Sequence, residues 1–177
     1  MAFCRLALFG GMVAWMLANL PAAAWAGPPG LKDQGTFEIS ISGNKIGVER
    51  FQIIPAGDQV VAKAEIELQA QQGGKPRFFH SSSELVLDSQ LQPISYTWSL
   101  KGTETSQLEI DFTKTPAKAH YHTVNGKEDR REFLLPKDLV VLDDNVLNQY
   151  EVLLQRYDQT SRGQQIFTAF KIGRAHV

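Results

Sequence analysis

From Thr36 to Phe112 apolar and polar residues alternate with a period of two, and short turn sequences interrupt the alternation. Successive side chains of a strand point to opposite faces, so the pattern predicts half-buried antiparallel strands. TFEISISGNKIGVERFQII reads as a hairpin about Gly43-Asn44, pairing Ser42 with Lys45, Ile41 with Ile46 and Ile39 with Val48. That register puts Phe37, Ile39, Ile41, Ile46 and Val48 on one face, and the change of parity at Phe51 and Ile53 predicts a bulge near Glu49-Arg50. QVVAKAEIELQA carries Val60, Ala62, Ala64, Ile66 and Leu68 on one face and Val61, Lys63, Glu65 and Glu67 on the other.

After the turn QQGGK come PRFFHSSSELVLD and PISYTWSLKG, the latter with Ile94, Tyr96, Trp98 and Leu100 in one apolar row. Leu108, Ile110 and Phe112 mark a further strand, ended by Pro116. AKAHYHTVNGKEDRREFLL predicts a second hairpin, because Asn125-Gly126 suits a two-residue type I′ turn. The expected class is mainly β (α+β): an antiparallel β-meander of about eight strands, curled into an open or closed barrel.

The period changes in LDDNVLNQYEVLLQRYD. Val146, Tyr150, Leu153 and Tyr157 fall at helical spacing, and Leu147 and Leu154 widen the stripe. One amphipathic helix of about 13 residues is expected to bury this tyrosine and leucine stripe against the meander, with Asp143 or Asp144 capping its start. QQIFTAF begins another strand.

The two ends are read differently. Arg5 precedes an uncharged stretch from Leu6 to Leu20, and Ala24-Trp25-Ala26 fits a signal-peptidase site, so residues 1–26 are a signal peptide and Gly27 the first mature residue. The apolar stretch is shorter than the ~20 residues a membrane span needs, and no stable span is expected after cleavage. Residues 27–35 form a leader and 36–170 a single domain. The terminal IGRAHV resembles the translated opening of a sequencing-library adapter. Residues 171–177 are therefore expected to be a junction codon followed by foreign sequence, with the native frame running on past Phe170. The expected location is exported, periplasmic or extracellular.

Composition narrows the chemistry. Cys4, the only cysteine, leaves with the signal peptide, so a disulfide, a thiolate nucleophile and a cysteine metal site are excluded from the mature chain. An ordinary core must hold the domain, and 43% hydrophobic residues supply it. Net charge is −1 with interspersed signs, and no basic stripe interleaves with aromatics, which argues against a nucleic-acid partner.

His120-Tyr121-His122 puts two imidazoles on one strand face. A two-residue turn at Asn125-Gly126 would set His122 opposite Asp129 and His120 opposite Arg131. Two histidines and a carboxylate suit a facial metal triad, whereas the Arg131 charge opposes a divalent cation. HSSSE places His80 and Ser82 on one face and Ser81 and Ser83 on the other, without a nucleophile elbow. Gly73-Gly74 lacks the Lys-Ser/Thr context of a phosphate loop and reads as a turn.

GTFEISISGNKIGVERFQI and LLPKDLVVLDDNVLNQYEVLLQRYD resemble the strand–turn start and helical segment of a group of exported bacterial domains of unknown function. The resemblance implies an unclosed β-barrel with a helix against its concave side. In outline this is similar to the periplasmic carriers that shield lipoprotein acyl chains (LolA-like). It implies no catalytic residues.

The resulting expectation is a non-enzymatic cell-envelope domain that binds a lipid, another hydrophobic ligand or an envelope protein. It needs no cofactor, and Tyr96, Trp98, Tyr150 and Tyr157 are candidate lining residues, since tyrosine joins an apolar body to a polar tip. The alternatives are a metal-dependent hydrolase using His120, His122 and Asp129, and a structural assembly module that pairs through strand edges.

Overall fold

The computed structural model describes residues 33–173 apart from Gly73, residues 102–104 and residues 124–125. Residues 1–26, read as a signal peptide, residues 27–32 of the expected leader and residues 174–177 of the expected tail lie outside the described residues. Eight strands form one antiparallel sheet in chain order. They are β1 (Asp33–Ile41), β2 (Asn44–Ala56), β3 (Gln59–Gln72), β4 (Lys75–Asp88), β5 (Pro93–Lys101), β6 (Ser106–Asp111), β7 (Ala117–Thr123) and β8 (Glu128–Phe133). This is the predicted meander. It is open, because β1 and β8 are the two ends of the ladder. β1 starts at Asp33, within the stretch read as leader.

Three short elements cover the sheet. β9 (Val140–Asp143), which strand periodicity did not reveal, pairs in parallel with β10 (Ala169–Ile172), and the helix α1 (Asn148–Gln155) lies between them in sequence. Among the described residues no helix is long and apolar enough to cross a membrane.

The sheet has a packed inner face and a solvated outer face. Ile53, Ala62, Ala64, Ile66, Leu85, Leu87 and Tyr96 on the inner face are almost completely buried. Outward-facing pairs are ionic: Lys45–Glu38 at 2.8 Å, Arg50–Glu67 at 2.9 Å, His80–Glu65 at 2.9 Å and Lys63–Glu84 at 2.9 Å. Each side chain in them is about half exposed or more, so the pairs mark the wet face and add little stability.

The first hairpin differs from its predicted register. Its two-residue turn is Ser42-Gly43, both at positive φ (51° and 80°), so Ile41 pairs with Asn44. Gly43 supplies left-handed backbone as expected, but from the second turn position. The bulge also comes earlier: Ser40 pairs with Lys45 and Ile39 with Gly47, which leaves Ile46 as the extra residue. Val48 therefore lies opposite Glu38 on the outer face, Ile41 is exposed, and Glu49 turns inward opposite Phe37. A shift of one residue exchanges the faces, and here it buries a carboxylate.

The helix is also shorter than its pattern suggested and presents another face. Val146, Asn148, Gln149 and Val152 are buried, while Tyr150 is 48% and Leu154 62% exposed. Polar residues win the buried face because the sheet supplies their hydrogen bonds. Asn148 Nδ2 donates to the Lys63 carbonyl at 3.0 Å, and Gln149 Oε1 accepts the Asp143 amide. The helix packs on β3 and β9, where Ala62 and Ala64 leave room for its close approach. At its far end Arg156 donates to the Leu139 carbonyl at 2.6 Å and pairs with Asp138.

Gly47 lets the bulged strand lie against β3, since a Cβ there would stand 2.2 Å from the Glu67 carbonyl oxygen and 2.6 Å from Leu68 Cδ2. Gly47→Ala should therefore destabilise the fold by about 1–3 kcal/mol, read as a lower urea midpoint at unchanged m-value. An unaltered midpoint would show that the two strands do not approach this closely.

Candidate functional site

Period-two alternation, carried through the hydrogen-bonded register, writes rows of side chains across the inner face. One row runs Phe51, Ala64, Ser83, Trp98, Leu108, Tyr121, Asp129 from β2 to β8, each residue being the cross-strand partner of the next. The neighbouring row runs Ile53, Ala62, Leu85, Tyr96, Ile110, Ala119, Arg131. Both rows are apolar in the middle and end in a charge on β8. The helix and the β9–β10 ribbon cover the rows only partly, and a cleft of about 410 Å³ remains over β5–β8. Its sheet wall consists chiefly of Trp98, Leu100, Leu108, Ile110, Tyr121 and Phe133. Asp143, Asn145 and residues 170–173 face that wall. Residues 171–173 belong to the stretch read from the sequence as a junction and adapter tail, so the wall on β5–β8 is the part of the cleft that does not depend on it.

The rim carries no net charge. Arg131 Nε and a terminal guanidinium nitrogen both lie 2.8 Å from Asp129 Oδ2, so the two row-ending charges neutralise each other. Trp98 lines the wall, and its indole N–H is buried and has no hydrogen-bond partner among the described residues.

A buried polar network borders the cleft. Tyr96 Oη donates to Asp143 Oδ2 at 2.8 Å, and Asp143 Oδ1 accepts the Asn145 amide at 2.8 Å. Burial first, and then the Asp143 carboxylate, push the Tyr96 phenol far above its usual range, so it is a permanent donor. Asp143 thus orders the loop before the helix but does not cap it. The cap is Glu49, from β2: its two carboxylate oxygens accept the Leu147 amide at 2.7 Å and the Asn148 amide at 2.8 Å. Glu49 is completely buried. Burial raises its pKa above the usual carboxylate range, against the lowering effect of the two amides, and the Asp143 charge adds to the rise.

The sequence candidates are dispersed. Trp98 is in the cleft wall. Tyr96 lies fully buried in the adjoining row as part of the core. Tyr150 is on the exposed side of the helix, and Tyr157 donates to the Gly163 carbonyl at 2.8 Å and does not line the cleft.

His120, His122 and Asp129 are separated by the hairpin register. Asn125 lies outside the described residues, but Thr123 N donates to Lys127 O at 3.0 Å, so three residues rather than two form the loop. His122 then pairs with Glu128, His120 with Arg130, and Tyr121 with Asp129. The histidines face outward while Asp129 faces the cleft. In place of the predicted triad, His120, His122 and Glu128 come together, with one donor atom from each lying within 4.8 Å of the others. Tyr121 was missed as a cleft residue, although Ala117, Ala119 and Tyr121 alternate with the histidines in AKAHYHT and so must occupy the other face.

Because Glu49 holds its proton more tightly in the folded chain, its contribution to stability is full below the ordinary carboxylate pKa and declines as pH rises through the raised value. The urea midpoint of the wild type relative to Glu49→Gln should fall over the pH interval above the ordinary carboxylate range. A relative midpoint that rises over that interval would contradict the assignment. Glu49→Ala should cost about 2–4 kcal/mol, since it leaves two amides without an acceptor at the start of the helix.

No protein-family model, curated protein or solved structure matches this chain, so its function has to be argued from the cleft and its chemistry.

Proposed function

We propose that this is a non-enzymatic, exported cell-envelope domain that binds an apolar or amphiphilic ligand in the cleft over β5–β8. The observation that carries this reading is the apolar sheet wall of Trp98, Leu100, Leu108 and Tyr121 beside a space of about 410 Å³. Ligand pockets of about 300–1,000 Å³ with apolar walls and a few polar groups are the usual form of a small-molecule site. Burying about six methylene groups there gains roughly 5 kcal/mol, which must exceed the cost of ordering the ligand. The Asp129–Arg131 pair neutralises its own charges at the mouth. An open sheet with a helix on its inner face is consistent with a LolA-like carrier, and the signal segment agrees with a periplasmic or extracellular location.

A fluorescent fatty-acid probe should bind the full chain saturably, with quenching or transfer from Trp98, which is the one tryptophan within residues 33–173. Leu100→Glu should weaken that binding by about tenfold or more, because it sets a charge on the apolar wall, while the unfolding midpoint stays near that of the wild type. Absence of saturable binding, or equal binding by Leu100→Glu, would overturn the reading.

A further inference from the structure

We propose that His120, His122 and Glu128 form a site for a borderline divalent transition metal, such as zinc, on the outer face of the β7–β8 hairpin. The site lies across the sheet from the cleft and does not depend on the ligand reading. Its donor set arises from register: His120 and His122 share a face at i and i+2, and Glu128 is the direct cross-strand partner of His122. His122 Nε2 lies 3.0 Å from His120 Nδ1, and His120 Nε2 lies 3.3 Å from Glu128 Oε2.

The three side chains bring their donor atoms close enough to share one cation. A neutral imidazole has one N–H and one lone pair. His120 Nε2 accepts from Arg130 Nε at 3.3 Å when His120 Nδ1–H donates to His122 Nε2, and the opposite tautomers let His120 Nε2–H donate to Glu128, so more than one proton arrangement fits the cluster. His122 Nδ1 lies 3.6 Å from Glu128 Oε1. That separation suits two ligands of one zinc ion, for which bonds of about 2.0–2.2 Å are usual. His120 completes the set by turning a ring nitrogen towards the same point, all three donors already lying within 4.8 Å of one another. Imidazole and carboxylate ligands suit zinc, copper or nickel better than magnesium or calcium.

The charges nearby are of both signs. Arg130 Nε approaches His120 Nε2 at 3.3 Å and competes with the metal for it, and its guanidinium lies 3.4 Å from Glu128 Oε2. The Arg130 side chain is 75% exposed, so it can swing into water when a cation arrives. On the other flank Glu109 of β6 is the cross-strand partner of His120 and adds negative charge. A bound metal would tie β7 to β8, the last strand of the open sheet, and so raise the hairpin's stability by mass action.

Zinc titrated calorimetrically into the chelator-treated full chain tests this. One saturable site is expected, weakened by about tenfold or more in both His122→Ala and Glu128→Gln and unchanged in His80→Ala. Arg130→Ala should bind zinc as tightly as the wild type or more tightly, an outcome that damage to the hairpin could not produce. The proposal is overturned if no saturable binding occurs, if both ligand variants bind as well as the wild type, or if Arg130→Ala loses binding along with them.

Discussion

The contact on which the rest of this structure depends is the one between the Glu49 carboxylate and the first amides of the helix. A meander of hairpins can satisfy its backbone unaided, but the short helix cannot. Eight residues are too few to be stable alone, and their leading amides need acceptors. Glu49 reaches those amides from β2, nearly a hundred residues away in the chain, and it does so because the bulge at Ile46 turns it inward. Beside the bulge, Gly47 lets β2 lie against β3 where a Cβ would collide with the Glu67 carbonyl and Leu68. One local irregularity in the first hairpin therefore fixes where the helix docks.

The cleft is a consequence of that docking. Asn148 and Gln149 anchor the helix by the Lys63 carbonyl and the Asp143 amide, and Arg156 ties its other end to the entry of β9. The covering elements thus lie where their hydrogen bonds place them, and the apolar rows over β5–β8 are left only partly covered. Bringing a charged carboxylate into a core is costly unless its hydrogen bonds are complete, and both Glu49 oxygens are used. The two sides of the sheet then have separate chemistry: the inner side offers an apolar wall, and the outer side has the histidine–glutamate cluster and its ion pairs.

The hydrophobic pattern was a good guide to the strands and a poor one to the registers. Strands such as Gln59–Gln72 read directly from alternation, because one face is buried and the other wet along their whole length. The sequence also indicated the antiparallel meander and the approximate place of the helix. What failed did so for two physical reasons. A turn of two residues and one of three carry nearly the same sequence signal at VNGK, yet they exchange every side chain between faces; this separated Asp129 from the histidines and joined Glu128 to them. The helix face was assigned by hydrophobicity, whereas Asn148 is held by the Lys63 carbonyl of a distant strand and Gln149 by the Asp143 amide, bonds that periodicity cannot register. Glu49 was missed for the same reason, as was β9, whose four residues are too few to show a period.

The central claim is that the inner wall of β5–β8 receives an amphiphile. Heteronuclear NMR of the full chain titrated with a medium-chain fatty acid tests it most directly. The account predicts a saturable shift of the Trp98 indole N–H together with the methyl groups of Leu100 and Leu108, and no change at the outward-facing Lys63 and Glu84. Shifts confined to outer-face residues, or a Trp98 indole unmoved at saturation, would contradict it.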